Sequence, residues 1–140
     1  MFDSASLQLV YRLDLDVFTV RWLTNSAFAT LRDEYEAVLL ADGAHRTCRW
    51  LFDVRRRPIT TAEATEWVTT HWLPRAAAVT QLGRLRLAYL VAPARAEALR
   101  LDTRLRVLME AALTSNHPYD LQTFGDEGAA MRWLLAEAPL

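Results

Sequence analysis

Apolar, strand-like runs and helix-spaced stretches follow one another along this chain, and that alternation restricts its fold more than any other feature. TCRWLFDV (47–54), LRLAYLVA (85–92) and YDLQTF (119–124) are short runs of strand-forming character. Each leads into a stretch whose apolar residues step by three and four. Ala64, Trp67, Val68, His71, Trp72, Ala76 and Val79 follow the first, Ala98, Leu101, Leu105, Leu108 and Ala112 the second, and Ala130, Trp133 and Leu134 the third. Phe28, Leu31, Tyr35 and Val38 show the same spacing ahead of the first run. Strands alternating with helices build parallel β-α-β units with right-handed crossovers.

The punctuation supports these spans. Leu7, Leu9, Tyr11 and Leu13, then 17–23, alternate around a turn at 14–16, which predicts an opening β-hairpin and one antiparallel strand. Ser26 is placed to cap the first helix, and Asp42 with Gly43 to end it. Thr60 and Glu63 form a capping box for the second, in which Pro74 lacks an amide and crowds the Thr70 carbonyl, so a kink is expected near Leu73. His117 and Pro118 interrupt the third helical stretch, and Asp126 caps a last helix. The expected fold is α/β: one domain over 1–140, with a mixed, mostly parallel five-stranded sheet, flanking helices and the order ββαβαβαβα.

A chain of 140 residues that is 52% hydrophobic and 24% charged can bury a core of its own. Its net charge of −1 lacks the basic footprint of a nucleic-acid-binding surface. All 16 basic residues are arginine, which removes lysine Schiff-base chemistry. Cys48 is the single cysteine, with no partner for an intrachain disulfide, and is expected to be a small buried hydrophobe. No secretory leader or membrane-length apolar run is visible, and a cytoplasmic location is expected.

WLFDVRR (50–56), EWVTTHWLPRA (66–76) and FGDEGAAMRWL (124–134), in this element order, resemble the STAS-like family, relatives of the anti-sigma-factor antagonists often grouped with CRAL-TRIO lipid-binding domains. The resemblance spans nearly the whole chain. It implies a STAS-like fold and a regulatory or binding module rather than an enzyme. In the antagonists a phosphorylatable serine follows an aspartate at a helix start. Here Asp53 is followed by Val54 and three arginines, leaving Thr60 and Thr61 as the candidate phosphorylation hydroxyls near that position.

Two residue groups are candidate binding surfaces. Arg55, Arg56 and Arg57 follow one strand and Arg95 the next, at the carboxyl ends where open α/β sheets bind ligands. Together they suit an anionic ligand or partner, although a solvated run paired with Glu63 and Glu66 is the plainer reading. Trp67, His71, Trp72 and Arg75 lie together on the second helix, as a pocket wall, a homodimer face or core packing. His45, His71 and His117 lack metal-ligand spacing, so neither metal nor other cofactor is expected. No nucleophile elbow, P-loop or dinucleotide fingerprint is present, and Asp126 with Glu127 is explained by capping. The expectation is a non-enzymatic regulatory or protein-interaction module, homodimeric. The alternative is a carrier or sensor of a small anionic or lipid-like ligand near the strand carboxyl ends and the second helix.

Overall fold

A computed structural model describes the chain except residues 1, 4–5, 25–26, 58–59, 81–82, 114–116 and 137–140, with backbone alone at 2 and 3. The opening alternation forms an antiparallel hairpin of β2 (Leu7–Arg12) and β3 (Val17–Trp22), and a short strand β1 (Phe2–Asp3) pairs with β2. Its turn places Asp16 at φ 55°, a left-handed conformation that aspartate tolerates. Asp16 is held there by the Tyr11 hydroxyl, which donates to its carboxylate at 2.6 Å, and by the Thr47 hydroxyl, which donates to its carbonyl at 2.9 Å.

β4 (Arg49–Asp53), β5 (Leu85–Leu90) and β6 (Tyr119–Phe124) continue the sheet in the order β1-β2-β3-β4-β5-β6. Pairings β3–β4, β4–β5 and β5–β6 are parallel, whereas β1–β2 and β2–β3 are antiparallel. The sheet is mixed as expected, but the expectation of five mostly parallel strands is corrected to six strands with two antiparallel pairings beside three parallel ones. The added antiparallel strand is Phe2–Asp3, too short to carry any periodicity in the sequence.

Successive parallel strands are added in one direction, so each right-handed crossover returns over the same face. α1 (Phe28–Leu40) and a 3₁₀ turn (Asp42–His45) lie between β3 and β4. A helical run of α2 (Ala62–Trp67), a π-turn (Val68–Trp72) and α3 (Leu73–Val79) joins β4 to β5. α4 (Pro93–Leu101) and α5 (Thr103–Leu113) join β5 to β6, and α6 (Glu127–Leu135) follows β6. The strand pleat sends Phe18, Val20, Trp22, Trp50, Phe52, Leu87 and Tyr89 into the large core beneath the crossovers. Val17, Leu51, Ala88 and Leu90 point to the opposite face, where Ala130 and Leu134 of α6 cover them.

Local chemistry accounts for three departures from the expected boundaries. The capping threonine is Thr61, not Thr60, and its hydroxyl accepts the Ala64 amide at 3.1 Å. Ahead of Pro74 the helix widens into the π-turn. There the Thr69 hydroxyl donates to the Thr65 carbonyl at 2.9 Å and the Thr70 hydroxyl to the Glu66 carbonyl at 2.6 Å, satisfying acceptors in the disturbed turn. The third helical stretch divides at Asp102, which leaves helical geometry (ψ 113°) and accepts the Leu105 amide at 3.1 Å as the cap of α5. Ser26 lies outside the described residues, and α1 begins after Ala27, which makes no side-chain cap. Cys48 is half-buried just before β4 rather than inside it.

Gly43 allows the 3₁₀ turn to close onto the sheet, since a Cβ there would clash with the Phe18 ring. Gly43→Ala is expected to lower unfolding stability by about 1–2 kcal/mol through overpacking, measured by urea denaturation. Unchanged stability would show that the Phe18 ring moves aside freely. Among the described residues, no helix is long and apolar enough to cross a membrane.

Candidate functional site

Beyond the carboxyl ends of β4, β5 and β6 the sheet keeps its pairing, with the Val54 amide donating to Leu90 O at 2.9 Å and the Val91 amide to Phe124 O at 2.8 Å. These extensions carry Val54 and Val91 onto the core face, where with Tyr89 and Leu121 they floor a half-open cleft. Leu31 and Tyr35 of α1, Ala64 and Thr65 of α2, and Leu99 and Met109 of α4 and α5 contribute to its walls. Its cavity measures about 40 Å³, room for about three waters.

The cleft lining is largely apolar; besides Thr60, Thr65, Thr69 and Thr123 its polar residues are Arg57, Arg95, Tyr35 and Tyr89. Tyr35 and Tyr89 project from α1 and β5, and their hydroxyls hydrogen-bond at 2.7 Å inside the core. Burial pushes both phenols upward, Tyr89 well above its ordinary value, so the pair is neutral at pH 7. Arg57 is only 6% exposed because the backbone after β4 turns inward, its amide donating to Val54 O at 2.9 Å. Arg95 lies in the first turn of α4 and donates from Nη1 to the Arg57 carbonyl at 3.2 Å. Its Nε is buried and has no hydrogen-bond partner among the described residues. Burial depresses both guanidinium pKa values against the opposing effect of Tyr35, yet arginine keeps its charge in proteins. Glu34, the neighbour of Tyr35 on α1, is also buried and acts electrostatically on Arg57.

The four arginines expected as one anion site do not gather. Arg57 and Arg95 converge in the cleft, Arg56 is exposed, and Arg55 turns to the opposite face of the sheet. There the Asp53 carboxylate accepts Arg55 Nε at 3.0 Å, Arg55 Nη2 at 2.8 Å and Arg21 Nη1 at 2.6 Å, and Glu127 accepts the same Arg21 nitrogen at 2.9 Å. Burial raises the Asp53 carboxyl, but the hydrogen bonds from Arg55 and Arg21 outweigh it and hold the group below the usual carboxylate range. The expected pairing of the run with Glu66 is also corrected, because Glu66 meets Arg104 at 3.2 Å. Asp126 caps α6, accepting the Ala129 amide at 2.9 Å.

The second-helix aromatic set divides too. Trp72 is fully buried, and its indole N–H donates to Tyr35 O at 2.9 Å. Trp67 is half-buried against Phe28 and Tyr35, and His71 is exposed. Arg75 is exposed and paired with Glu36 through two contacts of 2.6 Å. These residues therefore form no continuous exposed face, because the helix turns Trp72 inward. Thr60 is half-buried at the cleft, 3.4 Å from the Thr65 hydroxyl, whereas Thr61 is the helix cap. Among the described residues, no group of three or more His, Cys, Asp or Glu side chains could hold a metal ion.

Sequence reasoning missed Tyr35 and Tyr89 as site residues. The available signal was a tyrosine at a core position on each of two elements, since a buried phenol needs a polar partner. Compared with family models, curated proteins and solved structures, the chain matches none.

Proposed function

We propose that the protein is a non-catalytic binding module, a carrier or sensor that holds a small amphiphilic molecule in the cleft beyond β4, β5 and β6. The observation that carries this reading is the convergence of Arg57, Arg95 and the Tyr35–Tyr89 pair inside largely apolar walls. Ligand sites combine such walls with a few convergent polar groups, and this one lies where parallel sheets bind their ligands. The STAS-like resemblance of 50–56, 66–76 and 124–134 supports a regulatory role through binding. Any homodimer or regulatory partner would use a surface other than one centred on Trp72. Native mass spectrometry of protein purified gently from its own host tests the reading. A discrete added mass per subunit, lost on unfolding, is expected. Bare subunits throughout would overturn it.

A further inference from the structure

We infer that the molecule held in the cleft is a short-chain monocarboxylate whose two oxygens meet the Nε–Nη2 edge of Arg95. The inference rests on the cleft being a ligand site and names its ligand class. Arg95 and Leu99 stand four residues apart on α4, so they share a helix face, and both line the cleft.

Of that guanidinium, Nη1 donates to the Arg57 carbonyl, and Nε is buried with no partner among the described residues. A buried N–H left unmatched is unfavourable, and an acceptor in the adjoining space relieves it. The Nε–Nη2 edge offers parallel donors that fit two oxygens of one planar anion. The phenols of Tyr35 and Tyr89 act electrostatically on Arg95, and Arg57, on which Glu34 also acts, adds a second positive charge. One phenol of the pair donates to the other, which leaves one hydroxyl hydrogen to complete the anion's coordination.

An anion carrying an alkyl tail fits this lining better than inorganic phosphate. Val54, Val91, Leu99, Met109 and Leu121 suit such a tail, although Thr60, Thr65, Thr69 and Thr123 also line the cleft. The cavity of about 40 Å³ has room for about three water-sized groups, so the tail it takes is short.

Calorimetric titration of the intact protein with sodium butyrate, butyramide and inorganic phosphate, at one ionic strength, tests the inference. Butyrate is expected to bind about tenfold or more tightly than its neutral isostere butyramide or than phosphate. Arg95→Gln should bring butyrate down to the butyramide level. If that variant unfolds, the comparison on the parent protein decides alone. Equal binding of butyrate and butyramide would overturn the carboxylate assignment and leave the cleft as a ligand site. Tightest binding of phosphate would overturn the ligand class in the same way. No binding of any of the three would overturn the inference, and an added mass on native subunits would still uphold the cleft.

Discussion

Trp72→Ala is expected to lower the unfolding free energy by about 3–5 kcal/mol, the usual cost of emptying a buried tryptophan site. Trp72 is 0% exposed, and its ring centroid lies 4.8 Å from Tyr35, 5.6 Å from Phe52 and 6.2 Å from Trp50. Truncation opens a void at the centre of that cluster and removes the indole donor from the Tyr35 carbonyl. Arg75→Ala, three residues along the same run, is expected to cost less than about 1 kcal/mol, because its ion pair with Glu36 is exposed. Urea denaturation followed by far-ultraviolet circular dichroism measures both. Near-equal losses would contradict the division of this helix into a core residue and a surface one. The effect reaches the cleft, since Tyr35 supplies one hydroxyl of the polar pair.

Asp53→Asn is expected to cost about 2–3 kcal/mol at pH 7. The carboxylate side chain is 11% exposed and joins Arg21 to Arg55, so neutralising it leaves two neighbouring guanidiniums with the half-exposed Glu127 as their remaining partner. The cost stays below that of a fully buried pair because the Arg55 side chain is 45% exposed. pH provides an independent check. The folded-state pKa of Asp53 is below the ordinary 3.8, so its contribution is present above that value and is lost as pH falls through the folded pKa. The stability gap between parent and variant should therefore shrink progressively below about pH 4. A gap unchanged down to pH 2 would show that Asp53 acts through shape rather than charge.

Element types were legible in the sequence wherever a periodic pattern ran long enough. The alternation at 7–13 and 17–23, the apolar run at 85–92 and the steps through Phe28, Leu31, Tyr35 and Val38 all appear as the strands and helix they imply. Patterns that depend on one residue's local competition were harder to read. Thr60 and Thr61 are both acceptable caps, and backbone geometry selects the second. Asp102 interrupts an apolar stripe that continues across it. Pro74 signals a helix defect, but the form of that defect depends on the hydroxyls of Thr69 and Thr70 reaching carbonyls one turn back.

The candidate site was half visible. Arg57 and Arg95 stood out as arginines after neighbouring strands, but three consecutive arginines look alike in a sequence. The alternation of strands and helices, the carboxyl-end location of the arginines and the absence of lysine can be read from residue order. Packing in three dimensions sets Arg55 against Asp53 on one face and turns Arg57 into the cleft on the other. It also brought Tyr35 to Tyr89, 54 positions away. Range explains the difference: periodicity and capping act between residues a few positions apart, whereas a buried hydrogen bond or ion pair depends on which elements the packed core makes neighbours.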